Sequence, residues 1–72
     1  MKKNEFTRTL TATLAQNGKP NDDFIEKAVS KWGRVSRETS GAVDWDIKNI
    51  HNAVILYLEI KEAHEWATGI LP

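Results

Sequence analysis

The chain has no cysteine. That excludes a disulfide framework, a zinc-thiolate site and a thiol nucleophile, and it fits a reducing compartment. No apolar run approaches the roughly 18 residues of a membrane-spanning helix. The opening MKKNEF carries positive charge with no apolar stretch behind it, unlike a secretory signal. The expectation is a soluble, cytoplasmic protein with no membrane association. Charge of one sign is also missing: ten Lys/Arg balance ten Asp/Glu. Zero net charge argues against a nucleic-acid mimic and weakens the case for a dedicated nucleic-acid binder. Histidine is confined to His51 and His64. Thirteen positions apart on one helix, they point away from each other, so they make no metal pair within the chain. His64 reads as a packed, hydrogen-bonded histidine near Tyr57 and Ile60.

Chemistry is as sparse. Ser30, Ser36 and Ser40 lie in no nucleophile elbow. HEWAT is not the HExxH of zinc proteases. Asp44 and Asp46 flank Trp45, and paired carboxylates can do acid–base work, but here they suit the start of a helix. No glycine-rich phosphate loop is present. The reading is a protein that is not an enzyme, with no catalytic residues, metal, cofactor or small-molecule substrate.

What is present is helical patterning over a single domain, residues 1–72. Such a short chain buries only about 60% of its unfolded surface and benefits from self-association. In FTRTLTATL, threonines at every second position read as a strand, while Phe6, Leu10 and Leu14 at four-residue spacing read as one helix face. The exit LAQNG favours the helix. Four threonines make it a weak one. The second segment is the clearest. Asn21 is placed to cap it, Asp22 and Asp23 suit its positive end, and Gly33 is read as its stop. Phe24, Ile25, Ala28, Val29 and Trp32 form its apolar stripe. The third segment reads as one long helix from about Val43 to Thr68, stopped by Gly69. Ile47, Ile50, Val54, Tyr57 and Leu58 share one of its faces. The predicted fold is all-α, a small three-helix domain with a long C-terminal helix. The alternative is α+β, with residues 5–14 and 53–61 as strands.

A second line on the third segment runs Trp45, Asn49, Asn52, Leu56, Ile60, Ala63 and Ala67. These spacings are those of a coiled-coil seam with polar Asn positions. Two short helices cannot cover every apolar side of a third, and exposed apolar area on a small protein marks a contact surface. Charge is split along the chain: residues 1–43 hold eight Lys/Arg and five Asp/Glu, residues 44–72 two and five, or +3 against −3. Such a dipole helps a chain find itself or a partner. The expectation is therefore a protein-binding protein, a homodimer or the ligand of a partner protein, of inhibitor, antitoxin or mobile-element accessory type. Its expected anchors are Trp45, Leu56, Ile60 and Trp66.

A DNA-binding alternative rests on basic residues and on a family likeness. Lys27, Lys31 and Arg34 recur along the second helix, and Arg37 follows. Gly18, Gly33, Val35-Ser36-Arg37, Gly41-Ala42, Trp45 and Lys48-Asn49 match in order the landmarks of TetR-type repressors, and about half the chain resembles their helix-turn-helix in outline. Arg34 and Glu38-Thr39-Ser40 lengthen the turn, and the Ala28-Val29 order is shifted by one. The resemblance implies a short second helix, a turn at Val35–Arg37 and a recognition helix after Gly41. DNA would then be the partner, contacted by Lys31, Arg34, Arg37 and Lys48.

Overall fold

Lys3–Ala15 form the first helix, α1, in a computed structural model that describes residues 1–69. The threonine alternation is resolved here. Thr7, Thr9, Thr11 and Thr13 each donate the hydroxyl to the carbonyl four residues back, at 2.8–2.9 Å. A β-branched hydroxyl that bonds inside its own helix has no need of a strand partner. Phe6 and Leu10 are fully buried, and Leu14 packs beside them. Packing thus decides against propensity. Residues 5–14 and 53–61 are both helical, so the α+β alternative is corrected: among the described residues the protein is all-α, with three α-helices.

Helix α2 spans Asp22–Ser40. The Asn21 side chain accepts hydrogen bonds from the amides of Asp23 (2.9 Å) and Phe24 (3.3 Å), as its cap role requires. The helix does not stop at Gly33. It continues two further turns to Gly41, which adopts φ 79° and donates its amide to the Arg37 carbonyl at 2.8 Å. Gly33 has another role. A Cβ there would stand 3.3 Å from Cη2 of Trp45 and 3.9 Å from a Val43 methyl, so its bare backbone is the floor on which the indole lies. A mid-helix glycine costs roughly 1 kcal/mol relative to alanine, offset here by that contact. Gly41 is where left-handed backbone is needed. Gly41→Ala should lower stability by about 1 kcal/mol in a denaturant melt, although open space surrounds the position. An unchanged midpoint would show that the cap is dispensable.

The third helix also differs from expectation. Residues 43–46 are non-helical, a single 3₁₀ turn covers Ile47–Asn49, and α3 proper spans Ile50–Ala67. The Asp44 carboxylate accepts from the Asp46 amide, and the Asp46 carboxylate accepts from the Lys48 amide, both at 3.1 Å. Such local carboxylate–amide bonds compete with helix. The segment is also tied to α2. Trp32 Nε1 donates to the Asp44 carbonyl at 2.9 Å, and the Asp44 amide donates to Ser36 Oγ at 3.2 Å. At the far end, Gly69 takes φ 68° after Thr68, the stop the sequence predicts.

The core joins Phe6 and Leu10 of α1 with Phe24, Ile25, Ala28 and Val29 of α2 and Ile50, Ala53 and Tyr57 of α3. Ala28 and Ala53 are fully buried, and small residues let helices approach closely. Tyr57 closes the chain's first turn by accepting the Asn21 amide on its hydroxyl at 2.9 Å. Two expected core residues lie outside: Ile47 is 58% and Leu58 51% exposed. Ile47 falls in the 3₁₀ turn, out of phase with α3, and Leu58 sits about 100° around the helix from Tyr57. His64 is corrected too. It is exposed, with its ring edge-on to Phe24 at 5.1 Å. Among the described residues no helix is long and apolar enough to cross a membrane, and no buried side-chain polar atom lacks a partner.

Candidate protein-binding face

Helices α2 and α3 run antiparallel. Phe24, at the start of α2, meets Tyr57 and His64, while Trp32 and Val35 share a recess with Asn52, Ile55 and Leu56. At the Phe24 level, Ile60 of α3 borders a shallow groove otherwise lined by α2, with Asp23 and Glu26 as well as Lys27, Lys31 and Arg34. The groove follows from the sequence. On α2 the stripe that includes Trp32 turns inward, and the Lys27-Lys31-Arg34 row lies beside it at helical spacing. On α3 the seam from Asn49 to Ala67 lies next to the core-facing residues. Leu56 and Ile60 are half-buried against the core, and Asn52, Ala63 and Ala67 stand open to solvent. An apolar recess at Trp32, Val35, Ile55 and Leu56 thus adjoins a charged groove in which Lys27, Lys31 and Arg34 stand with Asp23 and Glu26.

Of the expected anchors, Leu56 lines the apolar recess and Ile60 borders the charged groove. Trp66 lies near the end of α3, 66% exposed. Trp45 is placed elsewhere. Its ring packs edge-on against Phe6, centroids 5.2 Å apart, and over Gly33, so it serves the core between α1 and α2. Ile55 adds exposed apolar surface, at 42%, whereas Leu58, 51% exposed, lies on the α1 side of α3 beside Leu14. Val35, Ile55 and Trp32 are not among the expected anchors. Val35 is legible in principle, three residues after Trp32 and seven after Ala28, once α2 is allowed past Gly33. Ile55 is not, because AVILYL is apolar in every phase.

The residues of the DNA-binding alternative do not converge on a helix-turn-helix. Val35, Ser36 and Arg37 belong to α2 instead of a turn, and no helix begins after Gly41 until the turn at Ile47. Lys31 and Arg34 line the groove, Arg37 is exposed in the last turn of α2, and Lys48 is exposed in the 3₁₀ turn. Among the described residues, no three of the metal-ligating types come together. Comparison with protein-family models, with curated proteins and with solved structures finds no match to this chain.

Proposed function

We propose that this is a non-enzymatic, cytoplasmic protein-binding domain of the inhibitor, antitoxin or accessory-factor kind, acting through the α2–α3 face. One observation carries the reading. A domain with a small core leaves Ile55 and Trp66 exposed along the helix that also lines a half-open apolar groove. Exposed apolar surface of this kind is what protein partners cover. Leu56, Ile60 and Trp66 are its anchors, because large apolar and aromatic side chains dominate interface energetics. The basic row Lys27, Lys31 and Arg34 beside it shares its groove with Asp23 and Glu26, which suits a partner segment of mixed charge.

DNA binding through Lys31, Arg34, Arg37 and Lys48 is the second reading. It rests on the same basic row, which can meet phosphates as well as carboxylates. One experiment separates the two. Tagged protein is captured from extract of its own host, beside the variant Ile55→Glu/Trp66→Ala. Both positions are exposed, so the variant should keep its melting behaviour to within about 0.5 kcal/mol per site. A protein retained by the wild type and lost by the variant supports the reading. Retention by both, or recovery of nucleic acid that is released steeply by salt, overturns it.

A further inference from the structure

We infer that Asn17-Gly18 is a site of spontaneous modification: the Gly18 amide displaces ammonia from the Asn17 side chain, and the isoaspartate that follows loosens α1. The inference is independent of what the α2–α3 face binds.

The chain has five asparagines, and only Asn17 is followed by glycine. Asn4, Asn21, Asn49 and Asn52 precede Glu5, Asp22, Ile50 and Ala53, whose side chains crowd the amide nitrogen that would attack. A glycine leaves that nitrogen open. The other asparagines are also more restrained. Asn4 and Asn52 stand inside helices. Asn21 Oδ1 accepts the amides of Asp23 and Phe24, and Asn49 Oδ1 accepts from Asn52 Nδ2 at 3.4 Å. Among the described residues no such bond engages the Asn17 carboxamide.

The backbone at this point is as loosely held. Helix α1 ends at Ala15, and Asn17 and Gly18 are both exposed. Their amides reach back three residues, to the carbonyls of Leu14 at 3.2 Å and Ala15 at 3.3 Å. The Gly41 cap, by contrast, is closed at 2.8 Å. Gly18 takes φ 118°, with open space where a Cβ would stand. A frayed helix end opens at almost no cost in free energy. Opening frees the Gly18 nitrogen and lets Asn17 leave helical geometry, which is what ring closure requires.

The reaction consumes one water and releases one ammonia. The Gly18 nitrogen gives up its proton and attacks Cγ of Asn17. The N–Cγ bond forms, the Cγ–Nδ2 bond breaks, and Nδ2 leaves as ammonia with that proton. A five-membered succinimide ring results. Water then opens the ring at either carbonyl. Opening at Cγ gives aspartate. Opening at the main-chain carbonyl gives isoaspartate, in which the chain runs through the former side chain and is longer by one methylene. Both products carry a new negative charge.

The two products act differently on the fold. A carboxylate past the end of α1 meets the negative end of the helix dipole, but Lys19 and Lys61 share the recess that Asn17 lines and offset it. The extra methylene has no such compensation. The link from Gln16 to Asn21 is short, and its far end is fixed by the bond from the Asn21 amide to the Tyr57 hydroxyl. A longer backbone there strains that bond or the last turn of α1, whose fully buried side chains are only Phe6 and Leu10.

The test incubates the full chain in neutral buffer, folded and in urea, and maps its peptides by mass spectrometry. The Asn17 peptide should gain roughly one mass unit before any other asparagine converts, faster as pH rises, because the attacking amide must lose a proton. The folded chain should convert within about tenfold of the unfolded rate, since a frayed end gives little protection. The isoaspartyl chain, isolated by chromatography, should show a lower urea midpoint than the unconverted one. Asn17→Asp, which carries the charge without the methylene, should melt close to wild type. Conversion of another asparagine first, protection by folding of about a hundredfold or more, an isoaspartyl chain that melts with wild type, or an Asn17→Asp variant that melts as early as the isoaspartyl chain overturns the inference.

Discussion

Phe6→Ala should leave the chain largely unfolded. Phe6 has no exposed surface and meets Trp45 edge-on, and truncation of a buried phenylalanine costs about 3–5 kcal/mol. A domain of 72 residues has only about 4–11 kcal/mol in total. The loss also compounds, because Phe6 and Leu10 are the fully buried side chains of α1. With one removed, a helix of 13 residues rich in threonine has little left to hold it, since isolated helices of that length are marginal in water. Far-UV circular dichroism and a urea melt check this. Ala12→Gly, on the exposed side of the same helix, is the control and should cost only about 1 kcal/mol. Should both variants melt alike, α1 would be held by propensity and not by packing.

The second large effect separates two tryptophans that the sequence puts on the same footing. Trp45→Ala should destabilise the fold by about 3 kcal/mol, the low end for a large aromatic because the ring is only half-buried. It removes the plate that lies over Gly33 and against Phe6. Trp66→Ala should move stability by no more than about 0.5 kcal/mol, because 66% of that residue is already in water. Denaturant melts of the two variants make the comparison, with tryptophan emission as a second signal. Equal losses would mean that Trp66 is folded onto the body of the domain, and that the exposed line on α3 ends before it.

The contrast shows what could be read from the sequence and why. Local rules locate whatever is decided locally. Asn21 caps α2, Asn17-Gly18 ends the first helical segment and Gly69 closes the last, because each needs only its neighbours to act. Gly33 and Gly41 are indistinguishable by those rules. Both come after a helical stretch, and only the indole of Trp45, twelve residues on, makes Gly33 a packing site and leaves Gly41 as the cap. Val43–Asn49 departs from its expected helix for the opposite reason. The Asp44 and Asp46 side chains, expected to decorate a helix start, turn the chain so tightly that the helix begins later. On α3 the run AVILYL is apolar in every phase, so periodicity cannot say that Tyr57 faces inward while Leu58 and Ile55 face out. The same holds for the candidate face. Leu56 and Ile60 are legible from their spacing, whereas Val35 joins them only because α2 is two turns longer than its first glycine implies.

Release of the threonine-rich first helix would change the chain's solubility. While folded, its four hydroxyls are turned back onto its own carbonyls, and Phe6 and Leu10 are out of sight. Once loose, Phe6–Leu14 is a nine-residue stretch with threonines on one side and Phe6, Leu10, Ala12 and Leu14 on the other, a single charge at Arg8 and no proline. That is the composition from which cross-β assemblies are templated. The anchoring of α1 is thus also a guard against amyloid-like aggregation, and loss of Phe6 exposes the chain to irreversible precipitation as well as to unfolding.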